Sequence, residues 1–398
     1  MTTPLSPGAD MQKVQSRYHR LVRQEGIIIV LAGIMLALFY SLLTDSYDTI
    51  TPFVNGIVIG LVCGIAVAWS ELILFRNASR KMSFIGLVTL KIFTTVMLVT
   101  GAIFSVILVS RSLTSGMNPL KIISSDGFRH FLWEEDFHFM ILYAFGMACI
   151  IMFTKQMNRK LGQGVLFNFI TGKYAHPFHE ERIFLFIDLD GSTTLAERLG
   201  DLQYHRFLNE FFCDVAEPVV AAKGAIHHYV GDEVVITWKM DQGLESGNCL
   251  NAYFAIVEKM DKLKPKYMAL FDVYPSFKAA YHCGAIVTGE VGDIKSEIVF
   301  HGDVVNTTSR IERLCSRLNE KVLISKDLME KIPLYQDRFQ LAGSFELRGK
   351  KSSTEVFGLR KGPSDQIFEL SDAKNKEPDP PQSHLEKKIG LGTDTYCK

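Results

Sequence analysis

The sequence predicts two fold classes in one chain: a four-helix membrane domain, then a cytosolic α+β domain. Three observations carry this expectation. Four apolar runs, each of about 18 residues or more, fall within the first 154 positions. From about residue 183 the pattern changes to short apolar strands alternating with amphipathic helical stretches. That second half also holds three motifs at strand ends and turns: FIDLDGSTTLAERLG with Asp188, HHYVGDEVVITW with Asp232, and HGDVVNTTSRIERLC with Asn306 and Arg310.

The 398 residues suffice for two domains of ordinary size. Lys and Arg number 43, balanced by 43 Asp and Glu, so nothing favours a nucleic-acid partner. Mean hydropathy is positive, and the apolar excess is concentrated in the first half. The seven cysteines show no CxxC or CxxxC spacing, which argues for small buried hydrophobes rather than a zinc site or disulfide framework.

Residues 1–25 are polar and basic, with Lys13, Arg17, Arg20 and Arg23 at helical spacing, and read as a cytoplasmic N-terminal segment. The following apolar run is too long for a signal peptide and lacks a cleavage site, so it reads as an anchor. The runs at 26–44, 53–75, 84–109 and 137–154 make a transmembrane domain over 26–154. Arg76, Arg80 and Lys81, together with Lys155, Arg159 and Lys160, place those loops inside, whereas Asp45 and Asp48 lie outside. Both termini are thus expected to be cytoplasmic, in a multi-pass protein of the cell (inner) membrane. Glu71 and Lys91 lie at similar depth within helices two and three; they either snorkel to the headgroups or pair with each other. Segment 110–136, containing HFLWEEDFH, reads as a solvated loop with interfacial aromatics; a cation or pH site built from His130, Glu134, Glu135, Asp136 and His138 is the alternative.

Residues 155–182 form an amphipathic connector, with Leu161, Val165, Leu166, Phe169 and Ile170 near one helical face, suited to a twin helix or to the domain itself. Gly172 and Pro177 end it. The α+β domain spans 183–360, with IFLFI as a strand, AIHHYV and VVITW as a hairpin, FKAAYHCGAIVTGEVG and EIVFHGD as strands, and VVNTTSRIERLC as a helix. Helices on a mainly antiparallel sheet follow. The polar, Pro-containing 361–398 reads as a disordered tail.

Asp188 ends an apolar strand and Asp232 occupies a hairpin turn. Carboxylates at such positions must be paired, hydrogen-bonded or metal-bound, and two that face each other suit Mg²⁺ or Mn²⁺. Each alone also reads as a cap or turn residue. Gly191, Ser192, Thr193 and Thr194 lie between strand and helix, where backbone N–H groups approach a polyphosphate and Ser192 or Thr193 serves as N-cap.

Taken in order, these motifs resemble the class III nucleotidyl cyclases over about 183–360. The resemblance implies a ferredoxin-like catalytic fold and conversion of ATP to 3′,5′-cyclic AMP and pyrophosphate by two-metal in-line attack of the ribose 3′-oxygen. It implies that Asp188, Asp232 and the Leu189 carbonyl hold two Mg²⁺ or Mn²⁺ ions per site, with Asn306 orienting the ribose and Arg310 the transition-state phosphate. It further implies a head-to-tail homodimer, one subunit giving the aspartates and the other Asn306 and Arg310. Lys350 or Lys351 in LRGKKSSTEV matches the family's late hairpin and is a candidate phosphate ligand.

The departure lies in base selection. Where the family carries Lys with Asp or Thr for adenine, or Glu with Cys for guanine, this chain has His228 and Val299. Val299 forms no hydrogen bond; Glu297, two residues earlier on the same strand face, is a candidate acceptor. ATP is the expected substrate and GTP the alternative. YVGDEV is also similar to the diguanylate cyclase signature, but that reaction has no use for Asn306 and Arg310. A non-catalytic membrane sensor is the remaining alternative from another class; a transporter fits poorly with four spans and a single ion pair.

Overall fold

The computed structural model describes residues 7–43, 51–75, 82–134, 136–161, 165–294, 296–347 and 353–360. Asp45, Asp48, Arg76, Arg80, Lys81, Glu135, Lys350, Lys351 and the 361–398 tail lie outside the described residues. Among the described residues, four helices are long and apolar enough to cross a membrane, with spans at Val22–Leu42, Phe53–Leu74, Phe84–Ser115 and Asp126–Asn158.

Helix α1 (Pro7–Leu43) runs unbroken through the basic N-terminal stretch into the first span. At its start Arg17 Nη1 donates to Asn248 Oδ1 of the second domain. Helix α2 (Thr51–Trp69) packs along α1 through Gly56, Gly60 and Gly64. A Cβ on Gly60 would lie 2.6 Å from Ile34 Cα, and one on Gly64 2.7 Å from Val30 Cα, so this glycine ladder lets the two backbones touch. Helix α2 ends in a π-helical turn, Ser70–Leu74, closed by Phe75 N–H donating to Ser70 O at 3.0 Å. Glu71 sits on that turn and pairs with Lys91 of α3 (Phe84–Ser115), Nζ to Oε2 at 2.8 Å and to Oε1 at 3.0 Å. The interhelical pair, not snorkelling, is what the structure holds.

Segment 110–136 differs from the expected loop. It folds as α4 (Pro119–Ile123) and α5 (Asp126–Glu134) before α6 (Asp136–Leu161). Phe128 is fully buried against Ile103, Ile107 and Ile122, and Arg111 lies over the rings of Phe128 and Phe131. Phe128 and Phe131 pack against the end of the bundle, whereas Trp133 is exposed. Among the described residues of this segment, no group of three or more His, Cys, Asp or Glu side chains is placed to hold a metal.

After α7 (Val165–Ile170), strand β1 (Phe178–Leu189) starts five residues before the expected strand, so the end of the connector already belongs to the sheet. The order continues with α8 (Ser192–Leu199), α9 (Asp201–Ala221), β2 (Ala225–Val230), β3 (Glu233–Lys239), α10 (Met240–Leu244), α11 (Asn248–Phe271), β4 (Phe277–Val291), β5 (Glu297–His301) and α12 (Asp303–Leu318). It closes with β6 (Val322–Ser325), α13 (Lys326–Met329), β7 (Phe339–Phe345) and β8 (Thr354–Leu359). The sheet order is β2-β3-β1-β4-β6-β8-β7, with β5 beside β4. Only β4 and β6 run parallel, which agrees with the expected mainly antiparallel sheet.

The period of two along β1 sorts the core. Ile183, Leu185 and Ile187 face α9 and α11, meeting Phe207, Phe211 and Val215. Phe184 and Phe186 face the opposite layer with Val235, Ile286 and Val304 of α12. Asp188 is the next residue of that second set.

The glycine ladder is directly testable. Gly60→Val should destabilise the full chain by about 1–3 kcal/mol through overpacking, seen as a lower Tm in detergent. Gly101→Ala, on α3 with no atom within 4 Å of its added Cβ, should leave Tm unchanged.

Candidate active site

The ladder of β1 sets Asp188 opposite Glu233 on one side and Lys278 on the other. Asp232 enters from the two-residue turn between β2 and β3, where Gly231 takes a φ of +62° that suits glycine. The hairpin is therefore as expected. From the layer above, α12 delivers Glu312, which is buried. Four carboxylates thus converge on one strand end.

A single ammonium group tempers them. Lys278 Nζ donates to Asp188 Oδ2 (3.3 Å), Glu312 Oε1 (3.3 Å) and Ser316 Oγ (2.9 Å). The remaining excess of negative charge shows in the titration. Burial, then Asp232 and Glu312, push Asp188 up to about 6 against the opposing pull of Lys278. Glu233 is pushed up to about 7 by burial, Glu312, Asp188 and Asp232, with Arg313 opposing. Tyr204 of α9 is raised by burial and by Asp232, and its hydroxyl bonds to Ser192. Alongside, Asp190 is held by Ser276 Oγ (2.7 Å) and Lys321 Nζ (2.9 Å), which fixes the chain just past Leu189. Leu189 itself is buried, paired with Phe277 across β1 and β4.

Helix α8 opens differently from the expected Ser or Thr cap. Gly191 occupies the N-cap in the left-handed region (φ +66°), with no side-chain cap bond. Ser192 is the first helical residue, and Thr193 and Thr194 are exposed. The N–H groups of the first turn are thus left without a side-chain acceptor beside the carboxylates, which suits an anionic ligand.

Asn306 and Arg310 lie one turn apart on α12, as their spacing requires. Asn306 is exposed. Arg310 Nη1 is buried with no hydrogen-bond partner among the described residues, the Asp303 carboxylate being 4.0 Å away. Among the described residues, no hydrogen bond or ion pair joins Asn306 or Arg310 to Asp188 or Asp232. Glu312, two residues further along α12, takes the place beside Asp188. The structure therefore brings Asp188 and Asp232 together and holds Asn306 and Arg310 as a separate pair.

The base-selection residues are rearranged by a β-bulge. Ile226 pairs with Ile236 but His228 with Val235, so His227 is the extra residue. It turns towards Phe300 (ring centroids 4.3 Å) and stacks on His228 at 3.7 Å. Burial, His228 and Arg182 push His227 down to about 3, with Glu297 opposing, so it is neutral at physiological pH. His228 is exposed, as is Glu297, while Val299 pairs with Gly289 in the β4–β5 ladder. The ladder is regular between the turn and His228, and His227 is the next residue, at the bulge. Sequence reasoning missed Lys278, Glu312, Glu233 and Tyr204; only the SRIE run, with an acid in an otherwise helical amphipathic stretch, signalled one of them.

All donors at the strand end are hard oxygens: two aspartates and the chain carbonyl at Leu189. With Asp188 and Glu233 held above the ordinary carboxylate range by burial first and by neighbouring carboxylates second, the set fits a hard divalent cation such as Mg²⁺ or Mn²⁺.

Residues 175–360 match the family model described as adenylate and guanylate cyclase catalytic domain. The chain is 39% identical over 224 residues to "Adenylate cyclase 2" of Rhizobium meliloti (strain 1021), covering 56% of this chain and 62% of the relative. It is 27% identical over 186 residues to "Adenylate cyclase" of Anabaena cylindrica, covering 44% of this chain and 36% of the relative. It therefore spans less than two thirds of either relative. Among solved structures, the adenylyl cyclase CyaB from P. aeruginosa aligns at 20% identity and a TM-score of 0.41, over 48% of this chain and 98% of that one.

The raised carboxyls set a pH dependence. The folded domain binds these protons more tightly than the unfolded chain, so their contribution to stability is fully present below the ordinary carboxylate pKa. It is lost as pH rises through about 6 and about 7. Without divalent cation, Tm should fall from pH 5 to pH 8. Asp188→Asn should recover about 3 °C at pH 8 and nothing at pH 4, read by thermal unfolding.

Proposed function

We propose, from the premise that residues 175–360 are a class III cyclase catalytic domain, that this chain is a membrane-anchored adenylate cyclase acting as a homodimer. Its reaction is intramolecular: the 3′-oxygen of ATP loses its proton and attacks the α-phosphorus in line, the bond to the β-phosphate oxygen breaks, and cyclic AMP and pyrophosphate result. The observation that carries the reading is Arg310. Its buried Nη1, without a hydrogen bond among the described residues, suits a pentavalent phosphoryl group, for which a guanidinium is the natural donor.

Asp188, Asp232 and the Leu189 carbonyl would hold divalent cation, which when bound supplies charge neutralisation at the 3′-oxygen and the phosphates. The remaining work belongs to the chain. The uncapped first turn of α8, at Gly191 to Thr194, receives the polyphosphate. Asn306 fixes the ribose so that the 3′-oxygen is aligned before reaction. Lys278 keeps Asp188 and Glu312 apart in charge before substrate arrives.

Homodimerisation is supported by the separation of the two half-sites within one chain. Exposed Tyr229 and Val230 offer apolar surface beside the Asp232 turn for a second copy. ATP is favoured over GTP because the relatives are named adenylate cyclases and the guanine-reading Glu and Cys are replaced by His228 and Val299. The four apolar helices support a membrane location, and the basic loops support an inner-membrane topology with cytoplasmic termini and cytoplasmic catalytic domain. The exposed Phe167, Phe169 and Ile170 of α7 suit a connector that meets its twin.

The full chain in membranes with Mn²⁺ should produce cyclic AMP from ATP, and little cyclic GMP from GTP; exclusive cyclic GMP formation would overturn the choice of base. Arg310→Ala should lower turnover at least ~100-fold, and full activity in that variant would overturn the assignment. Coexpressed Asp188→Ala and Arg310→Ala chains should regain about a quarter of normal activity, since half the dimers carry one intact composite site. No regain would refute the shared site.

A further inference from the structure

Between α1, α2, α3 and α6 lies a cavity of about 690 Å³, within the usual range for small-molecule sites. It extends from Glu25 to Ser41 along α1, about 24 Å at 1.5 Å per residue. Its middle is lined by small and apolar side chains, among them Gly33, Ala37, Cys63 and Ala144. The two ends differ in charge. At the connector end Lys155 lies 3.2 Å from Glu25 and 3.7 Å from Glu71, and Glu71 is also paired with Lys91. Two acids and two bases there balance, so that end is closed to a further charge.

The far end is cationic. Arg111 lines it together with Ser110 and Asn55. Among the described residues its recorded contacts are the Gly127 carbonyl (Nη1 to O, 3.0 Å) and the faces of Phe128 and Phe131, at 5.8 and 5.3 Å to the ring centroids. None of these is an anion. A guanidinium at the rim of an apolar channel is complementary to a negative headgroup whose tail fills the channel. At about 30 Å³ for each water-sized group, the volume admits roughly twenty groups: one acyl chain with its headgroup, not the two chains of a phospholipid.

We propose that this cavity is a binding site for a single-chain acyl amphiphile with an anionic headgroup, of the fatty-acid class, with its carboxylate on Arg111 and its tail towards Lys155. Such a ligand would lean on α6, whose end continues into the connector. The site stands independently of the catalytic reading, because binding is measured without nucleotide.

The full chain would be reconstituted in zwitterionic phosphatidylcholine nanodiscs and exposed to palmitate bearing a diazirine at its chain terminus, with crosslinks mapped by mass spectrometry. The expected result is labelling of cavity-facing residues of α1 and α6 near the connector end, displaced by unlabelled palmitate but not by hexadecanol. Arg111→Gln should weaken displacement by about tenfold, the loss of one charge-assisted hydrogen bond. Ala144→Phe should reduce labelling by filling the channel, and if it fails to fold, Arg111→Gln carries the test. Labelling indifferent to Arg111→Gln, or displaced equally by hexadecanol, would mean a bilayer chain only and overturn the proposal. So would absence of specific labelling, or a disulfide between two Ala144→Cys chains, which would place a second copy in the cavity.

Discussion

The α+β half is organised around one electrostatic constraint: four carboxylates converge on one strand end, and the Lys278 ammonium binds two of them. Asp188, Asp232, Glu233 and Glu312 arrive from a strand end, a hairpin turn, the next strand and a helix, so no one element creates the cluster. Burial raises the pKa values of Asp188 and Glu233, and repulsion among these groups adds to it. Lys278 holds two of the acids and a serine hydroxyl at once. The β1–β4 register, which pairs Lys278 with Asp188, is therefore a charge-matching device as well as a ladder. Fold stability is given up at this point and recovered in the apolar layers on either face.

The sequence made some of this legible because it lies in local pattern. Asp188 and Asp232 were visible as acids that interrupt apolar strands beside turn glycines, and Asn306 and Arg310 as a polar pair one helical turn apart. Lys278, Glu312 and Glu233 were not, since each matters only through a neighbour far away in the chain. His227 shows a second limit. A bulge adds one residue to β2 just beyond His228, so the turn of His227 towards Phe300 is not legible from alternation. Alternation arguments survive until the first irregularity in the ladder and fail beyond it. In the membrane half, hydropathy found the spans, but α4 and α5 looked like loop because their aromatic residues are too few to show a helical period.

The membrane half is built on close approach and on neutralised charge. Glycine contact joins α1 to α2, and the Glu25, Lys155, Glu71 and Lys91 set links all four long helices near the connector. Glu71 stands on a π-helical turn, an element that shifts the phase of α2 by a fraction of a turn and aims the carboxylate at α3 and α6. Without that phase shift a single straight helix would direct it elsewhere. The glycine face of α2 is fully occupied by α1, so chains that pair within the bilayer must meet through other helix faces.

Strand β1 joins these halves in a particular way. It begins at Phe178, within the connector, and ends at Leu189, one residue past Asp188, with partners on both sides through residues 182–188. A strand clamped between two neighbours cannot slide or twist alone without breaking a whole row of bonds. It is a tie-bar rather than a hinge. Force applied at the membrane end moves the entire sheet as one piece, leaving the spacing of Asp188 and Asp232 intact. Under the proposed homodimer, a message from the bilayer would be written in the pose of one α+β domain against another, not in the shape of either.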